Sequence, residues 1–87
     1  MVLNELKVNS VNKFCSIFNA ENRITGCNLH INEVCFYDVA NIELSGRSLL
    51  IYNMNNKLVG HVSCCSIVTM YYINSINDVV EFADMEF

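Results

Sequence analysis

Hydrophobic and polar positions change period along this chain. Near the N-terminus Val11, Phe14, Cys15 and Phe18 fall at helical spacing. From Cys27 the pattern becomes strict alternation, Cys27-Asn28-Leu29-His30-Ile31-Asn32, which marks a half-buried strand with Cys27, Leu29 and Ile31 inward. Further on, runs rich in branched and aromatic side chains are separated by turn residues. Ser45-Gly46 predicts one turn and Asn53-Met54-Asn55-Asn56 another, because Asn tolerates the left-handed region and bonds its own backbone.

An internal match changes how the first segment is read. Residues 17–26 lie over residues 51–60 at a constant offset of 34, with Ile17/Ile51, Asn19/Asn53, Asn22/Asn56 and Gly26/Gly60 identical. Phe18/Tyr52, Arg23/Lys57, Ile24/Leu58 and Thr25/Val59 are conservative pairs. A fixed period points to a repeated unit. Since 48–53 reads as a strand, the match assigns 13–18 to a strand too, against its helical spacing, and makes Asn19–Asn22 a hairpin turn.

The prediction is therefore two repeats, 6–39 and 40–73, in one domain over 1–87. Strands are expected at 6–8, 13–18, 23–31 and 34–39 in the first copy, and at 40–44, 47–52, 57–63 and 67–73 in the second. Gly26 and Gly60 would mark bulges or bends at equivalent places. The expected fold is mainly β, or α+β with one short terminal helix: a small antiparallel sandwich or barrel of two pseudo-symmetric repeats. In the segment 74–87, Ser75-Ile76-Asn77-Asp78 resembles a capping box, and Ile76, Val79, Val80, Ala83 and Phe87 follow helical spacing.

Composition narrows the function. The 87 residues, 9.9 kDa, support a single core. Hydrophobic residues make up 53% and charged ones 16%, which excludes intrinsic disorder and leaves more apolar surface than a small sphere can hide. A homo-oligomer or a partner is expected to cover the surplus. A net charge of −4 with five basic residues argues against nucleic-acid binding. No secretory signal is visible, and 58–75 is too polar for a membrane span. Five cysteines suggest no disulfide framework and are expected to be reduced packers in a cytoplasmic protein. Thirteen Asn with no Pro, Trp or Gln suggest A/T-rich coding, as in low-GC bacteria, their phages and mobile elements, or some parasites.

The candidate chemistries are few. Cys27-x-x-His30 and His61-x-x-Cys64 supply zinc-type ligands, but positions i and i+3 on a strand point to opposite faces. Cys64 near His61 is the one local nucleophile–base pair, set in an apolar run where thiols are buried and inert. No phosphate loop is present, and no cofactor or metal is expected. Tyr71 and Tyr72 must split across two faces, so one is a candidate interface anchor. Asp78, Glu81, Asp84 and Glu86, interleaved with Phe82 and Phe87, form an acidic tail expected to dock on a basic surface of a larger protein. The function expected is a non-enzymatic protein-binding module or inhibitor that occludes its partner, as anti-CRISPR proteins of phages and mobile elements do. The alternatives are a small-ligand-binding homo-oligomeric β protein and a metal or Cys-His protein.

Overall fold

The computed structural model describes residues 3–82. Among these residues one α-helix, α1 (Leu3–Asn22), precedes six strands: β1 (Cys27–Ile31), β2 (Val34–Ser45), β3 (Ser48–Asn53), β4 (Leu58–Ser63), β5 (Met70–Ile73) and β6 (Val79–Glu81). A 3-10 turn, Cys64–Ser66, lies between β4 and β5. The strands form one antiparallel sheet in the order β4-β3-β2-β1-β5-β6, open at both edges rather than closed into a barrel. The molecule is mainly β, as expected, with its helix at the N-terminal end.

The helix overturns the repeat. Lys13–Phe18 is helical, so the first copy has no strand to match β3, and Asn19–Asn22 is the last turn of α1 rather than a hairpin. The physical reason is burial. Val11, Phe14, Cys15 and Phe18 form one stripe buried against the sheet, with Val8 packed beside it. A strand would have sent these side chains alternately to both faces. Beyond Asn22 the chain turns at Gly26, whose φ of +71° suits glycine and whose N–H donates to the Asn22 carbonyl at 2.8 Å. Gly26 thus ends the helix connection and lies outside the strands.

The hairpins follow their turn residues. Asn32 and Glu33, at φ +49° and +71°, make the two-residue turn between β1 and β2. Gly46, at φ +63°, begins the turn between β2 and β3. The β3–β4 and β5–β6 connections are built alike. Asn53 Oδ1 accepts the N–H groups of Asn55 and Lys57, and Asn74 Oδ1 accepts those of Ile76 and Asp78. Asn56 and Asn77 occupy the left-handed region at the same place in each. The capping-box segment is therefore a hairpin loop. Val79–Glu81 is a strand, not the start of a helix, and positions 83–87 lie outside the described residues.

β2 is long and bent. Asp38 has φ +54°, and the register shifts between Val39 and Asn41, so Val39, Ala40 and Ile42 are all buried. Where β2 outruns β1, α1 takes over the open edge. The Asn19 side-chain amide donates to the Ile42 carbonyl at 2.8 Å and accepts the Ile42 N–H at 2.9 Å.

Between α1 and the sheet, Tyr72 meets Phe14 and Phe18 edge to face, at centroid distances of 5.6 and 4.9 Å. Its hydroxyl donates to Glu21 Oε2 at 3.0 Å. Burial, reinforced by that carboxylate, pushes the Tyr72 phenol well above its usual range. Gly60 is needed for close approach. A Cβ there would lie 2.5 Å from Phe36 Cε1.

Candidate functional site

The helix covers one face of the sheet, and among the described residues no other element lies on the opposite face. Alternation decides what lies there. Leu29, Ile31, Ile42, Leu49, Ile51, Met70 and Tyr72 are buried towards α1, so their strand neighbours point to the open face. Antiparallel pairing then aligns Cys35 on β2, His30 on β1, Tyr71 on β5 and Glu81 on β6 in one row across four strands. The His30 and Tyr71 rings stack at 4.6 Å with 4° between their planes. Cys35 Sγ lies 3.9 Å from His30 Nε2. Beside this row Ile73 pairs with Val79, both exposed. A second row, Glu43, Leu50 and His61, crosses β2, β3 and β4, and Tyr52 donates its phenolic hydrogen to Glu43 Oε1 at 3.3 Å.

Charge is segregated as sharply as shape. None of the six strands contains a Lys or Arg; their formal charges are Asp38, Glu43 and Glu81. Lys7 and Lys13 are on α1, Arg23 follows it, and Arg47 and Lys57 are in hairpin turns. The open face combines a stacked aromatic pair, aliphatic side chains and carboxylates, with two imidazoles as its basic groups.

The expected partner-binding residues separate in this frame. Tyr71 is half-exposed on the open face and Glu81 is beside it, while Asp78 is exposed in the β5–β6 loop. Tyr72 and Phe82 are buried in the core, with the Tyr72 ring packed against Phe14 and Phe18 of α1. Asp84, Glu86 and Phe87 lie outside the described residues.

The thiols also sort by environment. Cys15 and Cys64 are buried, and burial pushes the Cys15 thiol up to about 12 and Cys64 upward. Cys64 is therefore a core thiol, while its sequence neighbour His61 stands exposed on the open face. Cys27 packs against the core and donates its thiol hydrogen to the Ile73 carbonyl, whereas His30 points to the opposite face. Among the described residues, no group of three or more His, Cys, Asp or Glu is placed to hold a metal.

Local sequence pattern does not bring out the couple that the fold assembles, Cys35 with His30. Its signal lies in Asn32-Glu33. A two-residue turn at that point forces Ile31 opposite Val34 and His30 opposite Cys35.

Two open grooves flank the C-terminal end of α1. One of about 560 Å³ is lined by Ser16, Asn19, Ala20, Glu21, Arg23 and Ile24. The other, of about 510 Å³, lies between that end and the β5–β6 loop, with Glu21, Cys27 and Asn74 on its walls. Among the described residues, no helix is long and apolar enough to cross a membrane. No protein-family model, curated protein or solved structure matches the chain.

Proposed function

We propose that this chain is a small non-enzymatic protein-binding module that uses the open face of its sheet to occlude a basic surface of a larger protein. The observation that carries this reading is the segregation just described. A face without Lys or Arg in any strand presents Tyr71 already stacked on His30, with Glu81 and Glu43 at its flanks. Ordering an aromatic side chain before contact lowers the entropy lost on binding. Exposed carboxylates steer a basic partner towards the face and exclude an acidic one. An occluding inhibitor of the anti-CRISPR kind needs no more chemistry than this.

The Cys35–His30 couple favours an enzyme less well. A nucleophile needs a cleft that holds substrate and excludes water, and this couple stands on a sheet surface. The grooves beside α1 support a second reading, a small-ligand binder, which predicts a higher melting temperature in the presence of the right metabolite.

Comparative capture tests the first reading. The wild-type protein and a Tyr71→Ala/Glu81→Lys variant are immobilised and exposed to extract of the source cells, alongside Lys13→Glu on the exposed face of α1. The expected result is a protein retained by the wild type and by Lys13→Glu but lost by the double variant at equal thermal stability. Identical retention by all three removes the open face from consideration.

A further inference from the structure

The open face carries a nucleophile that the binding reading does not use. The five free cysteines differ in exposure and in what their sulfurs meet. Cys15 and Cys64 are enclosed in the core, and Cys27 has its thiol hydrogen engaged by the Ile73 carbonyl at 3.3 Å. Cys65 is exposed on the 3-10 turn, where Lys7 Nζ donates to its carbonyl oxygen. Cys35 alone combines partial exposure with an imidazole nitrogen 3.9 Å from its sulfur. That imidazole is held in place. His30 sits between Cys35 and Tyr71 in one register row, and its ring is fixed by the parallel stack at 4.6 Å. With Cys35 on one side and the Tyr71 ring stacked on the other, the imidazole keeps its Nε2 towards the sulfur.

We propose that Cys35 is a site of reversible S-thiolation by small-molecule disulfides, with His30 as the base that takes its proton. Cys35 Sγ attacks one sulfur of the disulfide and forms a new S–S bond. The disulfide's own S–S bond breaks, and its other sulfur leaves as a thiolate. The thiol proton passes to His30 Nε2 and from there to solvent or to the leaving thiolate. Cys35 is oxidised and one sulfur of the disulfide is reduced, so the disulfide is the only oxidant needed. A free thiol reverses the step by the same route.

The position gives the modification a consequence, and this part rests on the open face being the contact surface. Cys35 begins the row that continues through His30 and Tyr71 to Glu81. A mixed disulfide there plants several heavy atoms on a surface that has to meet its partner closely. Thiolation would switch binding off, and reduction would restore it.

The test uses the intact reduced protein and 2-hydroxyethyl disulfide, an uncharged probe that avoids repulsion by Glu81. Samples quenched with acid over time are digested, and each cysteine's occupancy is read by mass spectrometry. Cys35 is expected to be modified first. His30→Gln and His30→Phe should slow it by at least about tenfold, a modest share of the roughly 10²–10⁴-fold that a positioned base contributes, while Cys65 keeps its rate in both. His30→Phe retains a ring to stack on Tyr71, so a slow Cys35 there reports the lost base rather than a lost stack. Matching thermal midpoints show that both variants fold. Earlier modification of Cys65 would overturn the proposal, and so would a Cys35 rate indifferent to both substitutions. Protein thiolated at Cys35 that still retains its captured partner would refute the contact surface while leaving the thiolation site standing.

Discussion

At the scale of single residues, asparagine carries much of this fold. Asn19 supplies both a donor and an acceptor to Ile42, much as a neighbouring strand would. Asn32 gathers the crossing between β4 and β5: its amide donates to the Ser66 carbonyl, and its carbonyl accepts the N–H groups of Val68 and Thr69. Asn19→Ala leaves both Ile42 groups without these partners at a part-buried site and should cost about 2–3 kcal/mol in urea unfolding. Asn19→Asp should cost at least as much, because it loses the donor and faces a carboxylate to the Ile42 carbonyl. The turn role of Asn53 was legible in the sequence, but the partners of Asn19 and Asn32 lie more than twenty residues away, where no local pattern reaches.

Alkaline pH tests the buried thiols at this same scale. Cys15 is held from its usual 9.0 up to about 12 by burial, so between those values the folded thiol keeps a proton that the unfolded one loses. Its contribution to stability is fully present below pH 9 and falls as pH rises through 12, by about 1.4 kcal/mol per pH unit. Cys15→Ala should make thermal stability less steeply dependent on pH above 9. An unchanged slope would place the alkaline loss on Cys64, Cys27 and Tyr72, whose groups are also raised.

At the scale of elements, two kinds of periodicity compete in the first segment, and burial decides for the helical one. The stripe Val11, Phe14, Cys15, Phe18 was a correct helix signal, because burying it on one sheet face requires the 3.6-residue period. The offset-34 match was led by residues common in this composition. The turn motif that does recur is Asn53-x-x-Asn56 with Asn74-x-x-Asn77, in loops with the same hydrogen bonds. Strands bounded by clear turns were legible for that reason, and the inward set Cys27, Leu29 and Ile31 was correct.

The sheet edges carry their own prediction. β6 is three residues long and holds Glu81, with Asp78 just before it, whereas β4 is uncharged and begins with exposed Leu58 and Val59. Self-association, expected from the composition, would use β4. Light scattering at micromolar concentration should then give a mass above 9.9 kDa for the wild type, and 9.9 kDa for Leu58→Lys/Val59→Lys.

At the scale of the whole molecule, one rule explains the division of labour. The helix covers one sheet face with the large apolar side chains and carries Lys7 and Lys13, while the opposite face keeps its carboxylates and a stacked ring pair. This face was only partly visible in the sequence. The split of Tyr71 from Tyr72 follows from alternation alone, but the row through Cys35, His30 and Glu81 needs the strand order, which no local pattern encodes. The native thiols provide the most direct measurement of the central claim, since Cys35 lies on the open face and Cys65 on the 3-10 turn beside α1. Iodoacetamide labelling of each, followed by mass spectrometry, is compared with and without the captured partner. Slower labelling of Cys35 with Cys65 unchanged is the predicted result; protection of Cys65 with Cys35 unchanged would contradict it.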